Sequence, residues 1–370
     1  MAALAHDVPR AQVVQTIEKL IDNLVNIRDE TGEFLMTLED GRVIDTKGWN
    51  DWEWTHGVGL FGLWRLYEQT GDDHAFEVMT RWFADRFAQG TPTKNINTMS
   101  PMLTLAYLYE ETGEASYRPY LEAWAEYLMA PDGLPRTEEG GFQHITYDTV
   151  NFQQLWDDTL MMSVLPLAKI GLLLERPSYV EEAKRQYLLH IKYLTDRKTG
   201  LWRHGWTFEG RHHFAAALWA RGNCWVTIAI PEFIEMLDLP AGDALRTFLI
   251  DALQAQAEAL ATRQDESGLW HTLLNDPSSY LEASATAGFA YGLLKAVRKG
   301  YLPRKYEAVG VKAVRAVLAN VDESGELKQV SFGTPMGHDL QFYRDIPLTS
   351  MPYGQSLAIL ALTEFLRSYL

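Results

Sequence analysis

The segment WEWTHGVGLFGLWRLYEQTGDDHAFEVMTRWFADRFA, residues 52–88, decides the fold. Apolar side chains recur at helical spacing over 56–70 and again over 74–88, and only the turn Gly71-Asp72-Asp73 separates the two runs. Two helices joined by so short a turn lie antiparallel and pack against each other. The segment therefore predicts a helical hairpin.

The same arrangement recurs on both sides of this hairpin. Ten further segments carry the helical spacing: 12–27, 99–112, 116–129, 153–174, 178–195, 217–237, 241–263, 279–299, 303–319 and 350–369. Short turns and long connections alternate between the twelve helices. Several long connections repeat a related phrase: DETGEFL at 29–35, DRKTGLW at 196–202, DESGLWH at 265–271 and DESGEL at 322–327.

Hairpins with a recurring connector are typical of a repeat architecture. We predict an all-α protein, an (α/α)6 barrel of six helical hairpins, in a single domain over residues 1–370. An open solenoid is the alternative, but it would usually carry a stricter repeat and polar caps at both ends. In a barrel the long connections gather on one face, and we expect function there.

The composition of the chain limits the classes of molecule that the protein is expected to bind. The 370 residues are 47% hydrophobic and 22% charged, as in an ordinary globular protein, and 33 Lys and Arg against 49 Asp and Glu give a net charge of −16. So acidic a chain argues against nucleic acid as a partner. No stretch reaches the roughly 20 apolar residues of a membrane span. Because Cys224 is the only cysteine and the N-terminus, MAALAHDVPRAQVV, lacks a signal peptide's apolar core, we expect a cytoplasmic protein.

Six helices follow a long connection, and their first turns hold side chains that core packing would not choose: Trp52, Trp54 and His56; Asn95 and Asn97; Asp157 and Asp158; Trp219, Arg221, Asn223 and Trp225; Tyr280, Glu282 and Ser284; Tyr353 and Gln355. In a barrel these turns converge on one pocket. Aromatic faces with amide, carboxylate and guanidinium groups are typical of a sugar site.

Each residue also has a structural interpretation. Asp157 and Asp158 could cap a helix, Arg221 could be an ion-pair partner, His204 could be a buried histidine, and the Trp side chains could be core. The chain carries no HExxH, paired CxxC, GxxxxGK[ST] or GxSxG motif, so zinc-protease, P-loop and serine-hydrolase chemistry lack support. We expect no metal and no organic cofactor.

Several phrases resemble glycoside hydrolase family 105, which is akin to family 88: 52–72, NINTMSPMLTLAYLYEETGE at 95–114, QLWDDTLMMSVLPLAKIG at 154–171, GLWRHGW at 200–206, WARGNCWV at 219–226 and YLEASATAGFAYGL at 280–293. Members of that family have an (α/α)6 barrel. They remove a 4,5-unsaturated uronic acid from the non-reducing end of lyase-generated oligosaccharides, by hydration of the C4=C5 double bond. The resemblance therefore implies a small oligosaccharide of pectic origin as the substrate.

The resemblance also implies roles for individual residues. The aspartate before Thr-Leu is the family's acid/base, which here is Asp158, whereas Asp157 occupies a usually apolar position. His204, Trp219, Arg221 and Trp225 are implied as sugar-site residues, and the convergence of first turns adds Trp54 and His56. We expect burial to raise the pKa of Asp158, and Arg221 to face the substrate carboxylate.

The phrase NINT departs from the family pattern. Some members carry a second essential aspartate there, where this chain has Asn97. We expect Asn97 to hydrogen-bond the substrate or Asp158. Two other functions stay open: a sugar epimerase or isomerase using His56, His204 and His271, and a non-catalytic oligosaccharide-binding protein.

Overall fold

The computed structural model of the chain describes residues 8–37 and 41–369. Within them the helices, numbered in chain order, are α1 (Arg10–Asn26), α2 (Trp54–Thr70), α3 (Asp73–Gln89), α4 (Met102–Thr112), α5 (Arg118–Met129), α6 (Leu165–Leu173), α7 (Pro177–Leu194), α8 (Ala220–Met236), α9 (Ala244–Ala261), α10 (Ala283–Arg298), α11 (Glu307–Asn320), α12 (Leu340–Arg344) and α13 (Pro352–Leu366). The strands are β1 (Leu35–Thr37), β2 (Val43–Asp45), β3 (Gln154–Trp156), β4 (Gly205–Thr207), β5 (Trp270–His271) and β6 (Leu281–Glu282).

Six helices form a closed inner ring. Helices α2, α4, α6, α8, α10 and α13 pack side by side, and α13 completes the ring against α2. Each inner helix packs against one outer helix, and the first and last helices of the barrel, α1 and α13, form the sixth pair. The predicted all-α (α/α)6 barrel is confirmed.

Burial distinguishes the two layers, as the sequence pattern requires. Outer helix α1 buries only Val13, Ile17, Leu20, Ile21 and Leu24, which lie on one face at helical spacing. The described side chains of inner helix α13 are all buried, since it has the barrel interior on one side and outer helices on the other. Inner helices such as α13 are therefore buried on every face, whereas outer helices such as α1 are amphipathic.

The prediction of a helix over 153–174 is wrong at its start. Residues Gln154–Trp156 are strand β3, which pairs antiparallel with β4. A π-helical turn, Leu160–Val164, then leads into α6, and such turns are frequent at functional sites. Asp157 and Asp158 thus lie between a strand and a π-helical turn.

The long connections carry structure of their own. β1 pairs with β2, β5 pairs with β6, and α12 lies inside the predicted connection 320–349. No helix of the part of the chain that the structure describes is long and apolar enough to cross a membrane. The prediction about a signal peptide falls partly on residues 1–7, which lie outside the described residues.

Candidate active site

The β3–β4 pair brings two acidic residues against a histidine. Trp156 faces Gly205 in the ladder, and the backbone N–H of Asp157 donates to the carbonyl of His204 at 3.1 Å. One oxygen from each of Asp157 and Asp158 and one ring nitrogen of His204 lie within 4.8 Å of one another. The sequence could not show this meeting, because a three-residue strand is too short to carry a readable alternation.

Asp157 is the fully buried member of the acidic pair. Its carboxyl lies against Gly222 of α8, where a Cβ would stand only 2.4 Å from Oδ2. Both carboxyl oxygens are buried, and one of them lies within 4.8 Å of a carboxyl oxygen of Asp158. Burial, together with the negative charge of Asp158, raises the pKa of Asp157 well above its ordinary value. Asp157 therefore keeps its proton to a higher pH than an exposed aspartate does.

Asp158 lies nearer the surface, with its side chain 17% exposed, and its Oδ2 is 3.5 Å from Nε2 of His204. Burial opposes its charge, but the neighbouring His204 ring outweighs this and lowers the pKa of Asp158. The expectation of a raised pKa for Asp158 is wrong, since Asp157 has that property. The pKa values of the two carboxyl groups thus shift in opposite directions, and Asp158 is the member open to the site.

Tyr343 of α12 fixes the orientation of His204. The backbone N–H of Gly337 donates to the Tyr343 hydroxyl at 3.2 Å, and this hydroxyl lies 2.7 Å from Nδ1 of His204. The hydroxyl proton has two acceptors within reach, Nδ1 of His204 and Sδ of Met336 at 3.8 Å. Donation to Nδ1 would place the imidazole proton on Nε2, which lies 3.5 Å from Oδ2 of Asp158.

An aromatic chain connects the residues that the sequence singled out. Trp54 stacks on Tyr353 at 4.6 Å between ring centroids and meets Trp225 edge-on at 5.8 Å. At the other end, the ring of Trp219 lies 4.4 Å from that of His204. The indole Nε1 atoms of Trp219 and Trp225 are buried without a partner in the described chain. Such N–H groups are suited to sugar oxygens.

Arg221 lies in this chain, over the rings of Trp219 and Tyr353, but its guanidinium is already occupied. Nη1 donates to the carbonyl of Ser331 at 2.9 Å, and Nη2 donates to the carbonyl of Phe332 at 2.9 Å. Nη1 also donates to Oγ of Ser331, and Nη2 also donates to Oγ1 of Thr334. A carboxylate oxygen of Glu282 lies 3.7 Å from Nη1. The expected fork toward a substrate carboxylate is therefore not available. The ion-pair interpretation fits better, with Nε alone unpartnered among the described atoms of this side chain.

The side chain of Asn97 contacts the carboxyl group of Glu53 and not the expected carboxyl group of Asp158. Its side chain hydrogen-bonds Glu53, whose Oε2 also accepts from the backbone N–H of Trp54 at 2.9 Å. Burial raises the pKa of Glu53 to about 8. The expectation that Asn97 binds Asp158 is replaced by this contact.

His56 has a structural environment instead of the expected sugar contact. Its Nδ1 accepts from the backbone N–H of Glu53 at 3.1 Å, and its Nε2 lies 2.8 Å from the carbonyl of Gly48. Both ring nitrogens are thus used by the backbone before α2, and the ring is 1% exposed. His271, which the epimerase hypothesis requires, has Nδ1 at 2.5 Å from the carbonyl of Ser279. Of the three histidines, His204 alone lies beside the acidic pair.

Sequence reasoning missed Glu53, Tyr343 and His144. His144 stacks on Trp156 at 4.2 Å, and its Nδ1 lies 2.8 Å from Oγ1 of Thr159. Burial lowers the pKa of His144 to about 3, so the ring is neutral. Of these three residues, only Glu53 could have been suspected from the sequence, because it stands between two tryptophans in the segment 52–88.

Asp157, Asp158 and His204 also form a set that could hold a divalent cation, because each offers one ligand atom. A metal ligand must be deprotonated, and the raised pKa of Asp157 disfavours its deprotonated form. The opposite pKa shifts of Asp157 and Asp158 are those of a carboxyl pair that can share one proton.

A helical barrel that ends in a carboxyl pair among tryptophans defines a carbohydrate-active hydrolase. The model of Glycosyl Hydrolase Family 88 matches residues 26–369, and the chain belongs to this family. It is 34% identical to the unsaturated rhamnogalacturonyl hydrolase YesR of Bacillus subtilis over 322 residues, covering 86% of this chain and 90% of that protein. The resemblance seen in the sequence is confirmed, and the protein is a glycoside hydrolase.

Solved structures agree with this assignment. A possible member of family GH105 from Klebsiella pneumoniae is 62% identical, with a TM-score of 0.96 over 98% of this chain and 95% of that one. A possible GH105 member from Salmonella enterica has the same identity and TM-score, over 98% of this chain and 96% of that one. Fold and family thus agree over nearly the whole chain.

Proposed function

We propose that the protein removes a 4,5-unsaturated uronic acid from the non-reducing end of short oligosaccharides, with a rhamnogalacturonan fragment as the preferred substrate. The observation that carries this proposal is the Asp157–Asp158 pair, which lies with a ring nitrogen of His204 within 4.8 Å, beside Trp219. We infer that the pair shares one proton, because the pKa of Asp157 is raised and that of Asp158 is lowered. The YesR similarity supports the rhamnogalacturonyl preference.

The reaction follows from the chemistry of the double bond. C4 of a 4,5-unsaturated uronate belongs to a vinyl ether and is nucleophilic, so it accepts a proton and C5 becomes oxocarbenium-like. The shared proton of the pair passes through Asp158 to C4. Water then adds to C5 and returns a proton to the pair, so that one water is consumed. The resulting hemiketal opens and releases the remaining sugar.

His204 stabilises the pair during this cycle. When Asp158 gives up its proton, the Nε2–H of His204 donates to the new carboxylate, and Tyr343 keeps the ring in that tautomer. Asp157 is the proton reserve, because its burial makes a permanent negative charge there unfavourable.

Trp54, Trp219 and Trp225 are proposed to bind the sugar rings. Trp54 offers a half-buried aromatic ring, and the other two offer unpartnered indole N–H groups. The Nε–H of Arg221 is the remaining donor on that side chain. No metal or organic cofactor takes part in this scheme, and we propose that one catalytic domain spans residues 1–370 in a cytoplasmic protein.

The test follows ultraviolet absorbance of the conjugated C=C–COO⁻ group with a panel of lyase products. Rhamnogalacturonan, homogalacturonan, chondroitin and heparin fragments are compared at equal concentration, with Asp158→Asn as the control. We expect absorbance loss fastest with the rhamnogalacturonan fragment and absent in the variant. Binding without absorbance loss on every fragment would overturn the proposal, as would interconversion of the sugar with the double bond intact.

A further inference from the structure

Solvent reaches the entrances to three neighbouring inner helices at only four side chains. They are Glu53 and Trp54 at α2, Asn97 at α4 and Asp158 at α6, and each is half-buried. Apart from these four, every residue of the stretches that enter the three helices is buried: 52–66, 95–108 and 155–171. Because α2, α4 and α6 lie side by side in the inner ring and begin on the same face, the four side chains line one opening. The proposed acid Asp158 is one of them.

Hydrogen bonds fix the turn around Asn97 against the segment that carries the acid. The carbonyl of Ile96 accepts from Oγ of Ser163 at 2.8 Å, and Ser163 belongs to the π-helical turn that follows Asp158. The N–H of Ile96 donates to the carbonyl of Ile145 at 3.2 Å. Asn97 is thus held next to the turn that leads from the acidic pair into α6.

Glu53 adds a second carboxyl group to this opening. Its Oε2 accepts from the backbone N–H of Trp54 at 2.9 Å, and the side chain of Asn97 hydrogen-bonds it. Burial, together with the negative charges of Asp51 and Asp148, raises the pKa of Glu53 to about 8. The neutral form of the carboxyl is therefore favoured, and this form both donates and accepts hydrogen bonds.

The charges around Glu53 decide which part of the substrate can lie there. The two charges that act most strongly on Glu53 are both carboxylates, those of Asp51 and Asp148. A 4,5-unsaturated uronate carries its carboxylate on C5 and hydroxyl groups on C2 and C3, at opposite sides of the ring. Like charges keep the substrate carboxylate away, whereas a carboxyl group beside an amide offers donors and acceptors to two neighbouring hydroxyl groups.

We propose that Glu53 and Asn97 bind the hydroxyl groups on C2 and C3 of the unsaturated uronate, so that the enzyme selects rings in which both hydroxyl groups are free. This inference rests on the proposed hydrolase function. A ring held by that edge can present C4 to Asp158, because C4 is bonded to C3 and Asp158 lines the same opening.

The experiment measures KM and kcat from the loss of unsaturated-uronate absorbance with three substrates. They are an unsaturated rhamnogalacturonan disaccharide, a synthetic counterpart without the hydroxyl groups on C2 and C3 of the uronate, and one with a sulfate on O2. Glu53→Ala and Asn97→Ala each remove one proposed contact. Asp243→Ala is the matched control, because Asp243 caps the outer helix α9 by accepting from the N–H of Arg246 at 2.8 Å, as Glu53 caps α2. Thermal unfolding is recorded for every variant.

We expect the wild-type KM to be at least about 10-fold lower for the substrate with both hydroxyl groups than for the one without them. In Glu53→Ala and in Asn97→Ala this ratio should fall by about fivefold, because KM should rise only for the substrate that has the hydroxyl groups. Asp243→Ala should keep the wild-type ratio. The sulfated substrate should have a higher KM than the unmodified one, since the sulfate would lie near Asp51 and Asp148.

Several results would overturn the inference while leaving the proposed function standing. A ratio unchanged in either site variant would remove that residue from the contact, and an equal rise in KM for all three substrates would show a structural role only. A sulfated substrate with a KM as low as the unmodified one would contradict the selection of free hydroxyl groups. A wild type inactive on every unsaturated substrate would overturn the proposed function and this inference together. If Glu53→Ala fails to fold, Asn97→Ala decides alone.

Discussion

Gly222→Ala tests whether the position of Asp157 governs catalysis. The new methyl group would stand 2.4 Å from Oδ2 and 2.7 Å from Oδ1 of Asp157, whereas ordinary contact begins at 3.4 Å. The carboxyl must therefore move by about 1 Å, and a misplacement of that size can cost about 100-fold in rate. We expect kcat to fall by about 100-fold.

The change in stability should be small by comparison. Overpacking costs about 1–3 kcal/mol, and replacing a helical glycine with alanine returns about 1 kcal/mol. The free energy of unfolding should thus fall by about 0–2 kcal/mol. The two effects are separated by measuring kcat from loss of unsaturated-uronate absorbance and unfolding in urea.

Gly310→Ala is the matched control for overpacking. Gly310 lies on the outer helix α11, and its added Cβ would lie 2.8 Å from Cδ2 and Cγ of Leu294 on α10. No acidic residue is among the nearest neighbours of this Cβ. We expect this variant to lose stability to a similar extent and to keep kcat. A Gly222→Ala enzyme with kcat within about threefold of the wild type would refute the reasoning, because displacing the Asp157 carboxyl by about 1 Å should slow the reaction far more than that.

Four further predictions concern the site residues. Asp158→Asn should lower kcat by at least about 100-fold and leave the fold intact, and a residual kcat above about a tenth would contradict its role. Asp157→Asn should lower kcat by about 100-fold or more, because it removes the proton reserve on which Asp158 draws. Its stability relative to the wild type should rise from pH 5 to pH 8 in urea denaturation: the raised pKa of Asp157 makes the folded wild type hold a proton that the unfolded chain loses near pH 4, so wild-type stability declines with rising pH up to the raised pKa. A difference that is the same at both pH values would refute this sign. Arg221→Lys should lower the melting temperature and change KM little, because the fork holds two backbone carbonyls; a large KM effect in a stable variant would restore the substrate-carboxylate role. Prolonged EDTA treatment should leave kcat unchanged, and a loss restored by a divalent cation would favour a metal at Asp157, Asp158 and His204.

Helical spacing made the fold predictable. The five buried residues of α1 follow directly from the apolar face that its sequence displays. The strict alternation of short and long connections indicated which helices form the inner wall. The prediction failed over 154–156, where pairing with residues 205–207 outweighs local helical pattern.

The sequence predicted which residues lie in the site better than it predicted what each of them does. Trp54 contacts Trp225, and Trp219 lies beside His204. That these three side chains bind sugar stays a prediction. The raised pKa of Asp157 depends on its burial, with Gly222 of α8 packed against its carboxyl, and no local sequence pattern displays this contact. Arg221 is held by carbonyls of the last long connection, and a sequence does not reveal which carbonyls a side chain will meet.

Solvent deuterium labelling tests the central claim most directly. Wild-type enzyme is given an unsaturated rhamnogalacturonan disaccharide in D2O, and the released uronic acid is examined at once by NMR. If the pair protonates C4, the product has lost its double bond and carries deuterium at one stereochemical position of C4. Release of a uronic acid that still holds the double bond, or deuterium in both positions of C4 through uncatalysed rearrangement, would contradict the account.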